Sequence, residues 1–218
     1  MIRIVASMLT ADLADLGGEV RRLEAAGIDG IHWDVMDGIA VPSLTFGPAV
    51  IASARPHATV PFEAHLMIRN PDDLIERVAA AGCTTALVHP DMLSHPWRTC
   101  ERIREAGMRV GVTLSPGIPL EDARWLLPLT DVLMIMTVEP GFGGQAYLTA
   151  MEAKVAEARR LLDGFEGEWE LEIDGGVGPG TIAGAHGAGA RTFVVGSALW
   201  RAGSFGEALE ACRAACAD

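Results

Sequence analysis

Short apolar segments recur along the chain: IRIVAS (2–7), GIHWDVMD (30–37), FEAHLM (62–67), TALVHP (85–90), RVGVTLS (109–115), DVLMIMTV (131–138), WELEID (169–174) and TFVVGS (192–197). Each has strand length. Between them run stretches with Ala, Leu and Ile at helical spacing, such as LADLGGEVRRLEAAG and PDDLIERVAAAG. The second opens on an Asn-Pro-Asp start signal and closes at Gly82. Endings of the AAG and EAG kind, at Ala25–Gly27, Ala80–Gly82, Glu105–Gly107 and Ala188–Gly189, predict helix C-caps just before the next strand. Strand and helix alternating eight times predict an α/β protein with a parallel sheet. In 218 residues that suits a closed (β/α)8 (TIM) barrel better than an open doubly wound sheet. No linker or low-complexity stretch interrupts the pattern, so residues 1–218 are expected to form one domain.

Composition narrows the classes. Half the residues are hydrophobic and 21% are charged, enough apolar material for a large core without disulfides. A net charge of −12 argues against a nucleic-acid surface, which needs a basic patch. No apolar run reaches membrane-spanning length, and the N-terminal MIRIVASMLTADL is broken by Arg3 and Asp12, so neither a membrane partner nor a targeting segment is expected. Cys83, Cys100, Cys212 and Cys216 form no C-x-x-C pair and read as packing thiols of a reducing cytoplasm. Lys154 is the only lysine, so any mechanism that needs a reactive amine must use it.

Candidate chemistry begins with HWDVMDG at 32–38. Side chains alternate along a strand, so His32, Asp34 and Met36 share one face while Trp33 and Val35 point to the other, with Asp37 at the strand's end. The same rule groups Glu63, His65 and Met67 in FEAHLM, and Glu172 with Asp174 in WELEID. A lone histidine on an apolar strand is usually a hydrogen-bonded core residue. Two histidines and two aspartates at the ends of three strands are a different matter, because buried unpaired carboxylates are too unfavourable to be incidental. Barrel active sites lie at those strand ends. His32, Asp34, His65 and Asp174 can converge there as a mixed N/O set suited to zinc, iron(II), manganese or cobalt. A second constellation concerns anions. EPGFGGQ (139–145), DGGVGPG (174–180) and VGSALW (195–200) follow strands six, seven and eight, and glycine turns leading into helix starts offer backbone N–H groups to a phosphate. Local N–H groups would let an acidic chain hold an anionic substrate.

HWDVMDG, VPSLTFG, AHLM, PGFGGQ, EIDGGV and VGSALW, in this order and spacing, resemble the ribulose-phosphate 3-epimerase family from about Ser7 to Trp200. The resemblance implies a barrel of the ribulose-phosphate-binding type, a homo-oligomer, and C3 epimerisation of a ketose phosphate such as D-ribulose 5-phosphate. It implies that His32, Asp34, His65 and Asp174 bind one divalent ion and that Asp34 and Asp174 are also the acid and base. It further implies that Ser7 contacts substrate, and that Met36, Met67 and Met136 line the site near the reacting carbon. Phosphate would be held around Gly143 and Gly144, Gly175 and Gly176, and Gly196 and Ser197. Inverting C3 requires removing a proton beside the C2 carbonyl and returning one to the opposite face, so two flanking groups are needed, with the ion stabilising the enediolate.

The chain departs from the family pattern at Ile39, Ala40 and Ser43 in GIAVPSLTFG, at Glu63 before AHLM, at Glu139 in VEPGFGGQ, and at His89-Pro90-Asp91 where His-x-Glu is usual. Ile39, Ala40, Ser43 and Glu139 fall in loops that could shape or close the pocket, so they bear on the sugar, and D-allulose 6-phosphate is the alternative substrate. A Schiff-base aldolase, or a decarboxylase with a D-x-K motif, would need a lysine that DVMDG lacks; Lys154 sits in the predicted helix EAKVAEARRLL, where a solvated or capping role is expected. A non-catalytic phosphate-binding barrel predicts erosion of acid, base and metal positions, yet all four are present.

Overall fold

The structure, a computed structural model, describes residues 2–165 and 167–217. Eight parallel strands close in sequence order: β1 Arg3–Ser7, β2 Gly30–Met36, β3 Phe62–Met67, β4 Cys83–Val88, β5 Arg109–Leu114, β6 Val132–Met136, β7 Glu170–Asp174 and β8 Thr192–Val195. Helices α1 Leu16–Ala25, α2 Pro48–Ala54, α3 Ile75–Ala80, α4 Pro96–Glu105, α5 Glu121–Arg124, α6 Met151–Asp163, α7 Ile182–Gly187, α8 Ser197–Trp200 and α9 Phe205–Ala215 surround them. This is the TIM barrel that the strand-helix alternation predicts. Among the described residues no helix is long and apolar enough to cross a membrane.

The two faces of each strand do different work. Ile4 and Ala6, Ile31, Trp33 and Val35, Phe62, Ala64 and Leu66, and their counterparts through Phe193 and Val195 join one apolar layer with the helices. Trp33, fully buried, packs in this layer against Phe46 and Phe62. The inward faces are mixed. Leu87, Val132, Met134, Met136, Val138 and Val194 fill one side of the interior, while His32, Glu63, His65 and Glu172 are also wholly or almost wholly buried. With the outer layer carrying most of the apolar burial, the interior can carry polar residues, provided they find partners.

Two elements differ from the sequence expectation. PDDLIERVAAAG forms a 3-10 turn, Pro71–Leu74, before α3 begins at Ile75, because Asn70 adopts φ 54° and Pro71 enters without an N–H. The fourth strand spans Cys83–Val88, not 85–90; Pro90 cannot donate to the ladder, and His89 and Pro90 fall in the turn beyond it. The predicted C-cap glycines, Gly27, Gly82, Gly107 and Gly189, all have the positive φ such caps require.

Candidate active site

Strand register sets the polar groups side by side. Ser7 pairs with His32, Asp34 with His65, Met36 with Met67, and Met136 with Asp174. His32 Nε2 lies 3.4 Å from Asp34 Oδ1, 3.8 Å from Asp174 Oδ2 and 3.3 Å from His65 Nδ1. His65 Nδ1 lies 3.5 and 3.6 Å from the same two oxygens. Tetrahedral bonds of about 2.1 Å would put ligand atoms about 3.4 Å apart. Separations of 3.3 to 3.8 Å therefore match a four-ligand shell around one ion, and the four atoms all fall within 4.8 Å of one another. Two imidazoles and two carboxylates suit a divalent transition ion.

Electrostatics agree with that fit. Burial opposes ionisation of Asp34, yet His32 and His65 beside it hold its carboxyl well below the usual range. Burial likewise disfavours a charged His32, but Asp34 and Glu63 raise its pKa well above the ordinary imidazole value. The carboxylates that draw a proton onto His32 would hold a cation in its place.

Behind these four residues stand further polar groups that hold them in place. Glu63 Oε1 lies 2.7 Å from His32 Nδ1, the carboxylate-histidine arrangement that orients metal ligands. Glu172 is fully buried beside Glu63, and burial together with that neighbouring charge pushes its carboxyl well above the usual range, while Glu63 is held low by His32. Both acids were legible as inward-facing, since each sits two residues before a ligand. On the far side His65 Nε2 lies 2.8 Å from His89 Nε2, and Ser7 Oγ donates to Asp34 Oδ2 at 2.7 Å.

The glycine turns close the opposite wall. Gly143 and Gly144, Gly175 and Gly176, and Gly196 and Ser197 line one cleft with Ser7, Asp34, Met36, Met67, Met136 and Asp174, while His32 and His65 are fully buried and do not line it. The β6 turn differs from expectation. It does not lead straight into a helix, because the chain runs on past Gln145 and α6 starts only at Met151. Side chains hold the turn: Gln145 Nε2 donates to Glu139 O and Phe142 O at 2.6 and 3.0 Å, and Ser43 Oγ donates to Gly141 O at 2.5 Å. Ser43, one of the departures from the family pattern, thus ties the β2 loop to the β6 loop.

The remaining ionisable groups lie elsewhere. His57 follows α2, His95 precedes α4 and His186 is in α7, all outside the barrel interior. Asp37 spends its carboxylate on loop amides, accepting from Ile39 and Ala40 with one oxygen and from Arg69 with the other. Lys154 is half-buried and caps, donating to Ser115 O and Ile118 O at 2.7 and 2.6 Å, with Pro116 O at 3.4 Å. Its substitution Lys154→Met is expected to keep turnover within a few-fold while lowering stability by about 1 kcal/mol, since part-buried carbonyls lose their donor. Steady-state rates and a thermal melt on the same sample check this; a loss of several orders of magnitude with the fold intact would indicate amine chemistry.

Asp34, His65, Asp174 and the glycine turns lie toward the C-terminal strand ends, where barrel enzymes act, and comparison with known proteins makes the class an isomerase, more narrowly a carbohydrate epimerase. The chain belongs to the Ribulose-phosphate 3 epimerase family, which it matches over residues 3–200. It is 42% identical to a ribulose-phosphate 3-epimerase of Rhodobacter capsulatus over 220 residues, covering 98% of this chain and 95% of the relative. With the Bacillus subtilis (strain 168) ribulose-phosphate 3-epimerase the identity is 40% over 202 residues, covering 92% and 93%. Among solved structures, 3-hexulose-6-phosphate synthase from Salmonella typhimurium superposes with a TM-score of 0.72 at 16% identity, covering 99% of this chain and 98% of that one. At such identity the likeness speaks for the fold alone.

Proposed function

We propose that this chain inverts C3 of a ketose phosphate, interconverting D-ribulose 5-phosphate and D-xylulose 5-phosphate, and that residues 1–218 act as one domain. The observation that carries the reading is the pair Asp34 and Asp174, set on β2 and β7 and facing one cleft. Carboxylates on different strands can flank a carbon, one removing the C3 proton and the other returning a proton to the opposite face. His32, Asp34, His65 and Asp174 would hold one divalent ion, zinc, iron(II), manganese or cobalt. Such an ion, when bound, supplies positive charge where the enediolate develops.

The remaining roles belong to the chain. Ser7, hydrogen-bonded to Asp34, fixes one carboxylate oxygen and reaches the substrate. Met36, Met67 and Met136 offer polarizable surface around C3 without donors that would compete for the proton. Gly143, Gly144, Gly175, Gly176, Gly196 and Ser197 receive the phosphate through backbone N–H groups. We place the enzyme in the cytoplasm as a homo-oligomer. The test is an epimerisation assay on ketose phosphates of four to six carbons, before and after chelation and after metal return. Turnover of D-ribulose 5-phosphate that vanishes on chelation and returns with metal is expected. Preference for D-allulose 6-phosphate would move the substrate while keeping the chemistry, and full activity after chelation would sink the metal assignment.

A further inference from the structure

We propose that His89 and Ser115 are positioning residues that fix the ring tautomer of His65 and so present its Nδ1 to a divalent ion; the inference rests on the metal reading above. The argument is a proton count. His65 Nδ1 faces His32 Nε2, Asp34 Oδ1 and Asp174 Oδ2, so it must be free of hydrogen to act as a ligand. A neutral imidazole carries one N–H, which then belongs on Nε2. That nitrogen is 2.8 Å from His89 Nε2, and the two ring planes differ by only 17°. Their centroids stand 5.0 Å apart, which leaves room for the nitrogen contact plus one ring radius on each side. The rings therefore meet end to end, not face to face, with the N–H of one aimed at the lone pair of the other. His89 Nε2 must accept, so the His89 proton belongs on Nδ1, where Ser115 Oγ stands 3.3 Å away as its acceptor.

The geometry leaves little freedom for another arrangement. His65 and His89 are fully buried and Ser115 nearly so, so solvent does not compete for these groups. Ser115 follows directly on β5, and its backbone carbonyl is pinned by Lys154 from α6. The chain's one lysine thus anchors the outer end of a line that runs Ser115, His89, His65 toward the candidate metal centre. The two histidine ligands are supported in opposite senses. His32 faces the centre with Nε2 and is backed at Nδ1 by the Glu63 carboxylate, whereas His65 faces it with Nδ1 and is backed at Nε2 by a neutral ring.

The test reads zinc affinity by chelator competition, and the visible spectrum of the cobalt(II)-loaded protein, in wild type, His89→Leu, His89→Gln and Ser115→Ala, with a thermal melt on each. His89→Leu strands a buried N–H and should weaken zinc about 10- to 100-fold, the range found for lost outer contacts of metal ligands. His89→Gln, whose amide oxygen can accept near the lost Nε2, should stay within a few-fold of wild type, and Ser115→Ala should fall between the two. His89→Leu at wild-type affinity with an unchanged cobalt spectrum overturns the proposal. So does a folded His89→Gln that falls as far as His89→Leu. If the leucine variant does not fold, nitrogen NMR of the histidine rings in zinc-loaded wild type decides: an Nε2–H on His65 with an Nδ1–H on His89 is expected, and either reverse tautomer overturns the assignment. A wild type that binds none of zinc, cobalt, manganese and iron(II) removes the metal reading itself, an outcome distinct from one in which only the variants disagree.

Discussion

Asparagine at Asp34 or at Asp174 is expected to abolish net epimerisation, a loss on the order of 10³-fold or more, because each removes one of two proton carriers. The amide keeps the size and much of the hydrogen bonding of the carboxylate, so the barrel should stand; at Asp34 it can still accept from Ser7 Oγ, which donates at 2.7 Å in the native chain. On the proposed mechanism, what separates the two positions is the face of C3 each would serve. In deuterated buffer, one variant should lose wash-in of label from one epimer and the other from its partner. Both residues are also candidate ligands, and His32 and His65 hold the Asp34 carboxyl well below the usual range, so metal occupancy must be measured in the same samples before a rate is read. Substantial net turnover by either metal-loaded variant would mean that another acid serves C3. Asp37 is committed to three loop amides, which leaves Asp91, at the turn beyond β4, as the next group to change.

Why the centre could be read in a bare sequence follows from the period of a strand. His32 and Asp34 are two apart, Glu63 and His65 are two apart, and Glu172 and Asp174 are two apart, so each pair shares a face whatever the register. Parallel pairing then brings those faces into one barrel, with Asp34 directly opposite His65. The outward apolar faces are equally periodic, which is why the eight strands emerge within a few residues of their observed ends.

What stayed hidden depends on contacts that no local period encodes. Ser43 reaches Gly141 across ninety-eight positions, and Lys154 reaches Ser115 across thirty-nine. His89 was visible only as the histidine shared with the usual His-x-Glu, two residues before the departure at Asp91. Its meaning needs the ends of β3, β4 and β5 to be adjacent and their rings to be turned toward one another. Helix limits were blurred for a simpler reason: α3 and α5 are only six and four residues long, too short for a helical period to mark where they begin.

Alanine at Gly176 is expected to lower kcat/KM about 100-fold, through loss of phosphate binding spent on orienting the reacting carbon. The residue has φ +65°, and a Cβ there would lie 2.5 Å from the backbone nitrogen of Tyr147 and 2.7 Å from its Cα. The left-handed conformation alone costs alanine about 1–2 kcal/mol, but the overlap is the larger matter. Its partner is main chain, not the tip of a flexible side chain, so relief requires moving the segment that follows the β6 turn, and with it Gly143 and Gly144 on the same cleft wall. Gly180, four residues on, is the internal control, since a Cβ there meets nothing within 4 Å and the backbone is not left-handed. Gly180→Ala should match wild type in rate, in melting temperature and in competitive inhibition by inorganic phosphate. Gly176→Ala should bind inorganic phosphate more weakly by a similar factor while remaining folded. If a folded Gly176→Ala keeps both its kcat/KM and its phosphate inhibition, the anion does not rest on this turn, and the glycines after β7 serve packing against the β6 loop alone.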